Sequence, residues 1–416
     1  MPPTGCKCKR SELRTVYVQL WSCQYDPEPT GIGPVSRVLA CGLHDRGHKV
    51  EVVAAHPHYP EPKWGRRLLP YRETRGGIPV LRLPLWIGRA TTMERYRQEL
   101  TFTAAQFAAL PALGRPDVII SASPSFPALL PALTYTGIRQ IPWLVWLHDI
   151  LPDGATATGL VESGLIIDVS RRLENAAYRR ADHIVVLSRE FITNLTQKGV
   201  PKAKIELIYD PATRIPEART KQAEASPLRL LAMGNIGLSQ GLASIVDAFE
   251  NSDAAKSGKA ELVITGDGVA APQVRDKVRT DSVSMLGMVG DQRLEEELQA
   301  ASIGLVTQAY EGSEFNIPSK LMNFMAYGLP VLAAVNPAGE VARLVEDSGA
   351  GWVIDSSDPD SLGRLVSSLC VSHDALLERG AASRRFADAR FTQKGFAQHF
   401  EEALVRTVED SSKKRE

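Results

Sequence analysis

The segment LRLLAMGNIGLSQGL, residues 228–242, carries the pattern that decides the fold. An apolar, strand-like run ends at Met233, the loop GNIG follows at once, and SQGL opens a helical stretch. A strand that turns through glycines directly into a helix is typical of a doubly wound α/β domain. The turn lies at the carboxyl end of its strand, which is the edge where parallel sheets bind ligands.

The same alternation of strands and helices extends to both sides of this segment. Continuous apolar strands with helical stretches between most of them indicate a parallel sheet that is covered on both faces. The upstream strand-like runs are TVYVQLW, KVEVVAA, PDVIISASP, WLVWLHD, HIVVLS and KIELIYD. The downstream runs are AELVITG, SVSML, SIGLVTQ, PVLAAV and GWVI.

The chain of 416 residues fits two domains of about 200 residues each. A polar, proline-rich segment without periodicity separates the two sets of strands and is interpreted as a linker. The predicted fold class is α/β, with two Rossmann-like, doubly wound parallel-sheet domains that face a cleft. The predicted parts are a flexible leader (1–14), an N-terminal domain (15–211), the linker (212–227), a C-terminal domain (228–395), and a terminal helix and tail (396–416) that cross back to the first domain.

The composition is that of a soluble, globular protein, with 44% hydrophobic and 23% charged residues. The 48 basic and 48 acidic residues balance, which argues against a nucleic-acid partner. Five scattered cysteines and the absence of an apolar leader favour a reduced, cytoplasmic protein, although CKCKR at 6–10 could be half of a metal site. The most apolar window, 129–147, contains Arg139 and prolines and is not expected to span a bilayer.

Three glycine loops follow strands of the predicted sheets. Besides GNIG they are PTGIG, with Gly31 and Gly33, and ITGDG, with Gly266. Ten residues separate Trp21 from Gly31, so PTGIG is not a dinucleotide fingerprint. Glycine lets the backbone approach a phosphate at a helix N-terminus, although a tight strand-to-helix turn is the simpler alternative for Gly31 and Gly33. Three such loops at one edge indicate a phosphorylated ligand.

The segment NIPSKLMNFMAYGLPVLAA, residues 316–334, predicts an anion site. Pro318 is expected at the first helical position, so that the free amides, hydroxyl and ammonium of Ser319 and Lys320 face a bound anion. Asn323 lies one turn further along the same face, within reach of a sugar hydroxyl. The alternative is a capped helix with a solvated lysine.

These segments, together with YDPEPTGIGP and RGHKVEVVAAHPHYP, resemble the family 4 glycosyltransferases of GT-B architecture, in particular the colanic-acid fucosyltransferase-like subgroup. The resemblance spans roughly residues 15–400. It implies transfer of a sugar from a GDP- or UDP-linked donor, with retention of configuration and no metal or other cofactor. The acceptor would be a small molecule or a lipid-linked sugar in polysaccharide or natural-product biosynthesis.

The resemblance also implies roles for individual residues. His148 would contact the donor sugar or the leaving phosphate, although it could be purely structural, and Lys320 would stabilise the departing diphosphate. The predicted donor-binding residues are Gly31, Gly33, Gly234, Asn235, Gly237, Ser239, Gln240, Gly266, Met288, Asn316, Ile317, Pro318, Ser319, Lys320 and Asn323. The predicted acceptor-binding residues are Tyr25, His58, Tyr59, Trp86, Ser123 and Asp149.

The chain departs from the family pattern at four sites. The family has a pair of glutamates around the helix after Pro318, and Phe315 stands at the position of the first, eight residues before the second. Asn323 stands where the family has a ribose-binding glutamate, and Leu238-Ser239 replace a basic residue before the QG pair. Tyr209-Asp210 replace an Asn-Trp pair after the last strand of the first domain. Because of these changes, a non-catalytic subunit that binds sugar nucleotides, or an epimerase or phosphorylase of the same fold, remain alternatives.

The segment KWGRRLLPYRETR, residues 63–75, contains five Lys or Arg residues with Trp64 and Tyr71. Basic and aromatic side chains together favour peripheral contact with an anionic membrane. A solvated loop is the alternative.

Overall fold

The structure is a computed structural model. It describes residues 15–29, 31–58, 64–88, 92–123, 127–148, 165–216, 227–309 and 317–413. Within these residues, no helix combines the length and the apolar character needed to cross a bilayer. The predicted leader and the centre of the predicted linker lie outside them.

The first domain contains an eight-stranded sheet in the order β3-β4-β2-β1-β5-β6-β7-β8. Its strands are β1 (Tyr17–Ser22), β2 (Lys49–Ala55), β3 (Tyr71–Arg75), β4 (Ile78–Leu83), β5 (Val118–Ser123), β6 (Trp143–Leu147), β7 (His183–Val186) and β8 (Ile205–Leu207). Its helices are α1 (Gly33–Asp45), α2 (Thr92–Ala109), α3 (Leu129–Arg139), α4 (Leu165–Arg180) and α5 (Arg189–Gln197).

The second domain contains a six-stranded sheet in the order β11-β10-β9-β12-β13-β14, which is the strand order of a Rossmann fold. Its strands are β9 (Leu228–Met233), β10 (Ala260–Thr265), β11 (Val283–Gly287), β12 (Ile303–Thr307), β13 (Val331–Val335) and β14 (Gly351–Asp355). Its helices are α6 (Leu242–Glu250), α7 (Asp253–Lys256), α8 (Ala271–Arg275), α9 (Asp291–Ala300), α10 (Ser319–Ala326), α11 (Glu340–Ser348), α12 (Ser361–Leu369) and α13 (His373–Arg390).

Both sheets are covered on two faces, as the continuous apolar strands predict. All five side chains of β6 are buried. In β9, the neighbouring residues Leu230 and Leu231 belong to two different apolar clusters, because successive side chains of a strand point to opposite faces. The prediction of two doubly wound α/β domains is confirmed.

The first sheet is not wholly parallel. Strand β3 pairs with β4 in the antiparallel direction, with Tyr71 opposite Arg82. Residues 71–75 of the predicted basic segment therefore form an edge strand rather than part of a loop. In these five residues, basic side chains are interspersed with other residues. The strand was not predicted because it contains no apolar run.

The last helix, α14 (Gln393–Lys413), packs on the first domain. Phe396 and Phe400 belong to the apolar core of that domain. A Cβ at Gly42 of α1 would lie 2.4 Å from the Cβ of Ala397, so only glycine permits this close approach of α1 and α14. Glu401 of α14 pairs with Arg46 and, at 2.9 Å, with His48.

Candidate active site

The loops after β9 and β10 lie against each other. A Cβ at Gly266 would lie 1.8 Å from the carbonyl oxygen of Gly234, and a Cβ at Gly268 would lie 2.4 Å from that of Ile236. The amide of Ile236 donates to the carbonyl of Asp267 at 2.9 Å. The mutual packing of the two loops therefore requires glycine at 266 and 268, whether or not a ligand binds there.

The loop after β9 also contacts the segment that follows β12. The amide of Ala309 donates to the carbonyl of Ser239 at 2.8 Å. Strands β9 and β12 are neighbours at the point where the strand order reverses, and doubly wound domains bind ligands at this point. Ser239 and Gln240 therefore lie where the fold places a ligand.

Helix α10 begins at Ser319 and not at Pro318, which is its N-cap residue with extended backbone angles. The prediction placed the start one residue too early. The amide of Leu321 donates to the carbonyl of Pro318 at 2.9 Å, which closes the first turn. Ser319 is exposed, whereas Lys320 points inward.

Lys320 is a buried cation with a neutral partner. Its Nζ donates to Oε1 of Gln240 at 3.0 Å, so the structure brings two predicted donor-binding residues together. Burial lowers the pKa of Lys320 to about 8. Within the described part of the chain, no carboxylate forms an ion pair with this ammonium. A buried charge without a counter-ion is costly, and an anionic ligand would offset that cost.

Asn323 is engaged by the segment that enters the linker. Its Oδ1 accepts the amides of Thr213 and Arg214, both at 3.0 Å. The side chain of Arg214 forms an ion pair with Asp291 at the start of α9, with an Nη2–Oδ1 distance of 2.6 Å. Asn323 thus fastens the linker to the second domain, and its predicted contact with a ribose stays a prediction.

His148 faces Asp210 in the first domain. The His148 Nδ1–Asp210 Oδ2 distance is 3.8 Å, and the His148 ring lies 4.4 Å from that of Trp146. Among the described residues, three buried atoms of this cluster have no hydrogen-bond partner, namely Trp146 Nε1, His148 Nε2 and Asp210 Oδ1. Burial lowers the pKa of His148 to about 3 and raises that of Asp210 to about 8, so each shift favours the neutral form of its side chain.

Asp210 is a site residue to which the sequence analysis assigned no role. It was visible as a departure from the family pattern, and it follows β8 at the same sheet edge as His148 follows β6. Unsatisfied buried polar atoms cost free energy and are concentrated where ligands bind. The cluster of Trp146, His148 and Asp210 is therefore a candidate binding surface.

The loop glycines of the first domain have local explanations. Gly31 has a φ of +65°, and a Cβ there would lie 2.1 Å from Oε1 of Gln24. A Cβ at Gly33 would lie 2.9 Å from the carbonyl oxygen of Glu28. The tight strand-to-helix turn accounts for both residues, and their predicted contact with the donor stays a prediction.

Three of the predicted acceptor residues have described side chains, namely Tyr25, His58 and Trp86. Tyr25 and His58 are buried, and Nδ1 of His58 lies 3.4 Å from Oε1 of Glu28. Trp86 is exposed, with Arg66 and Arg97 over its ring. Tyr59 and Asp149 lie outside the described residues, and of Ser123 only the backbone is described. The predicted donor-binding residue Asn316 also lies outside them.

The remaining predicted donor residues are placed at the edge of the second sheet. Met288 follows β11 and is exposed, Ile317 precedes α10 and is partly buried, and Asn235 and Gly237 belong to the loop after β9. Across the described ranges, no group of three His, Cys, Asp or Glu side chains is close enough to hold a metal ion.

A cavity of about 1430 Å³ lies between the two domains. One face of α1 and the start of α14 form one side, and Thr213, Arg214 and Asp291 form the other. Among the residues that the structure describes, none of the predicted site residues lines it. It adjoins them through Thr213, whose amide is bound by Asn323.

Two family models match the chain. One is described as a glycosyl transferase 4-like domain and matches residues 30–211, and the other as glycosyl transferases group 1 and matches residues 227–371. Two Rossmann-like domains of this kind define the GT-B class of glycosyltransferases. The chain belongs to family 4 of that class.

Relatives and solved structures agree with this assignment. The chain is 28% identical to the probable glycosyltransferase WbjE of Pseudomonas aeruginosa, over 62% of the chain and 66% of that protein, which is just under two thirds of its length. It is 22% identical to the putative colanic acid biosynthesis glycosyl transferase WcaI of Escherichia coli, over 92% of the chain and 98% of that protein.

The structural neighbours include HepE of Anabaena in complex with UDP and a sucrose-phosphate synthase of Thermosynechococcus elongatus. HepE matches with a TM-score of 0.67 and 17% identity, over 94% of this chain and 100% of its own. The synthase matches with a TM-score of 0.70 and 18% identity, over 95% of this chain and 99% of its own. At these identities the likeness shows the fold.

Proposed function

We propose that the protein transfers a sugar from a GDP- or UDP-linked donor to an acceptor in polysaccharide biosynthesis, with retention of anomeric configuration. The observation that carries this proposal is the buried ammonium of Lys320, held by Gln240 at the ligand-binding edge of the second sheet. The names of the relatives, and the UDP complex of a structural neighbour, support the donor class and the pathway class.

The chemistry assigned to the second domain is stabilisation of the leaving diphosphate. Negative charge develops on the diphosphate as the glycosidic bond breaks, and the Lys320 ammonium and the N-terminus of α10 would stabilise it. The acceptor hydroxyl would attack from the face that the diphosphate leaves, and a phosphate oxygen would accept its proton. This route needs no protein nucleophile.

The chemistry assigned to the first domain is recognition of the sugar. Because burial favours the neutral forms of His148 and Asp210, they would bind hydroxyl groups without adding a charge next to the cation-like anomeric carbon. A neutral imidazole offers one donor and one acceptor, and a protonated carboxyl group donates as well. Sugar hydroxyls would satisfy the atoms of this cluster that have no protein partner.

A panel of nucleotide sugars tests the proposal. The protein is incubated with GDP- and UDP-linked sugars, and release of nucleoside diphosphate is followed with and without candidate acceptors. Calorimetry with the free nucleotides measures binding separately. Release from one donor class supports the proposal, and NMR of the product anomer tests retention. Nucleotide binding without turnover would favour a non-catalytic subunit, and interconversion of the donor sugar would favour an epimerase.

A further inference from the structure

A buried carboxylate of the second domain bonds to two groups of the first. Glu340 is the first residue of α11 and is 1% exposed. Its Oε1 accepts a hydrogen bond of 2.8 Å from the hydroxyl of Tyr209, and its Oε2 lies 3.4 Å from the amide nitrogen of Arg189. A buried carboxylate is costly unless hydrogen bonds satisfy it. The burial of Glu340 therefore depends on the contact between the two domains.

Glu340 caps a helix of the opposite domain. Ser188 is the N-cap residue of α5 and has extended backbone angles, but its hydroxyl does not bond to an amide of the first turn. That hydroxyl is buried and has no hydrogen-bond partner within the described ranges. The first amide of α5, that of Arg189, donates to Glu340 instead. Since α11 begins at Glu340, the carboxylate lies at the positive ends of two helix dipoles, one from each domain.

A second pair of charged side chains joins the same two helices. Arg343 of α11 forms an ion pair with Glu190 of α5. The Nη2 atom of Arg343 also lies 3.8 Å from Oε2 of Glu340. These residues and the two partners of Glu340 form a cross-domain cluster, which consists of Arg189, Glu190, Tyr209, Glu340 and Arg343. Opposite charges therefore alternate across the contact between α5 and α11.

Tyr209 connects the cross-domain cluster to the candidate binding surface of the first domain. It directly precedes Asp210, whose Oδ2 lies 3.8 Å from Nδ1 of His148. Burial and the neighbouring Glu340 raise the pKa of the Tyr209 hydroxyl, so this group stays protonated and donates. Tyr209 stands where the family has a shorter asparagine, so its hydroxyl contact is a feature of this chain.

We propose that Glu340 is a positioning residue. Through Tyr209 and the N-terminus of α5, it holds the binding surface of the first domain in place relative to the phosphate site of the second. The inference rests on the proposed function, in which the sugar contacts the first domain and the diphosphate contacts the second. A nucleotide sugar spans both sites, whereas a nucleoside diphosphate contacts mainly the second. Loss of the Glu340 contacts should therefore weaken binding of the nucleotide sugar alone.

Calorimetry with the full chain compares the two ligands. The probes are UDP with UDP-glucose or GDP with GDP-mannose, whichever pair the unchanged protein binds. Glu340→Ala should weaken binding of the nucleotide sugar about tenfold, and that of the nucleoside diphosphate less than about twofold. Glu340→Gln keeps an acceptor for Tyr209 and should recover most of the loss. Tyr209→Phe should weaken binding of the nucleotide sugar about threefold, and should add little to Glu340→Ala because both remove the same hydrogen bond.

Hydrogen exchange tests the contact without any ligand. Glu340→Ala should speed exchange of the first amides of α5, in a peptide that covers residues 188–197, by at least about fivefold. The matched control is Glu346→Ala, which removes an exposed glutamate from the same helix α11 and should change neither exchange nor binding. Tyr209→Phe removes only one oxygen atom, so it serves for the binding measurement if Glu340→Ala does not fold.

Two results would overturn the proposal. The first is unchanged exchange of residues 188–197 in Glu340→Ala, because the carboxylate would then not cap α5 in solution. The second is equal weakening of both ligands, or of neither, because Glu340 would then not position the first domain. If the unchanged protein binds no nucleotide sugar, the proposed function and the positioning role both fail, whereas the exchange result still shows whether the cross-domain cluster forms.

Discussion

The two domains differ in how completely the polar atoms of their candidate sites are satisfied. In the second domain, Lys320 bonds to Gln240, and Asn323 accepts two backbone amides. In the first domain, His148 Nε2 and Asp210 Oδ1 are buried and have no partner among the described residues. The second domain fixes its own site geometry, whereas the first leaves hydrogen-bonding capacity for a ligand.

This difference separates two tasks of a transfer reaction. A charged leaving group is recognised best by groups that are already held in place, since no reorganisation is then needed as charge develops. A sugar offers many hydroxyl groups, and neutral buried atoms without partners recognise such groups while rejecting ligands that lack them. Substitutions in the two domains test this difference.

The largest effect is expected for Lys320→Met, which keeps the bulk of the side chain and removes the charge. Loss of a charge-assisted contact to a phosphate should weaken binding of the nucleoside diphosphate by about 1.5–3 kcal/mol, or about 10–100-fold. Calorimetry measures this, with Lys256→Met, an exposed lysine of the same domain, as the control. Equal affinities for the two variants would remove Lys320 from the phosphate site.

Asn323→Leu should lower the free energy of unfolding by about 1–3 kcal/mol, because the amides of Thr213 and Arg214 lose their acceptor. Asn323→Asp keeps an oxygen in the same place and serves as the matched control. Denaturant unfolding measures both. If the Leu variant is as stable as the Asp variant, then the hydrogen bonds of Asn323 do not stabilise the second domain, and its polar atoms are not better satisfied than those of the first.

Asp210→Asn should change how stability depends on pH. The pKa of Asp210 is raised in the folded state to about 8, above its ordinary value of 3.8, so the folded protein holds this proton more tightly than the unfolded chain does. Stability therefore falls as the pH rises through this range. The lowered pKa of His148 has the opposite effect on stability. Below pH 6.5, the ordinary pKa of histidine, stability rises with pH because the unfolded chain binds this proton more tightly than the folded protein does.

Of these two residues, only Asp210 contributes to the pH dependence of stability between pH 6.5 and 8. The unchanged protein should lose about 1 kcal/mol of stability per pH unit relative to Asp210→Asn, which cannot ionise. Thermal unfolding of both proteins at several pH values measures this difference. Parallel curves would show that Asp210 is already ionised at pH 7, and that the first domain also carries charge.

The smallest effect concerns nucleotide binding above neutral pH. Lys320 binds a phosphate in its protonated form, and its pKa of about 8 means that the free protein loses this proton as the pH rises. Affinity for the nucleotide should fall by up to about fivefold between pH 8 and 9. Lys320→Arg, which stays protonated, should give a flat profile in the same calorimetric series.

The sequence was sufficient to predict the fold because its signals are local. Runs such as WLVWL and PVLAAV are apolar at every position, as buried parallel strands are, and glycine loops follow the strand-like runs LRLLAM and AELVIT. Strands β3 and β4 were both missed. Strand β3 lies at the sheet edge, where only one side is paired and polar residues are tolerated. Strand β4 contains Pro79, and proline is unusual within a strand. The start of α10 was misplaced by one residue because proline is accepted on either side of a helix boundary.

The site was less predictable because its contacts join residues that are far apart in the chain. The pairing of Lys320 with Gln240 follows from the fold, since both lie at the same switch point. The bond between Asn323 and the amide of Thr213 spans 110 positions and involves a backbone group, which leaves no trace in residue type. The pairing of Asp210 with His148 depends on the order of strands in the sheet. His148 follows β6, Asp210 follows β8, and β7 lies between these two strands.

The chain passes between the domains twice, and the two passages are tied together. The amide of Ala212 donates to the carbonyl of Phe391 at 2.9 Å, and Nε2 of Gln393 donates to the carbonyl of Ala212 at 3.0 Å. Two bodies joined by adjacent, bonded crossings have essentially one free rotation, about an axis through both crossings. Opening and closing of this enzyme should therefore be a rotation of one domain against the other about a single hinge axis. Helix α14 should move together with the first domain.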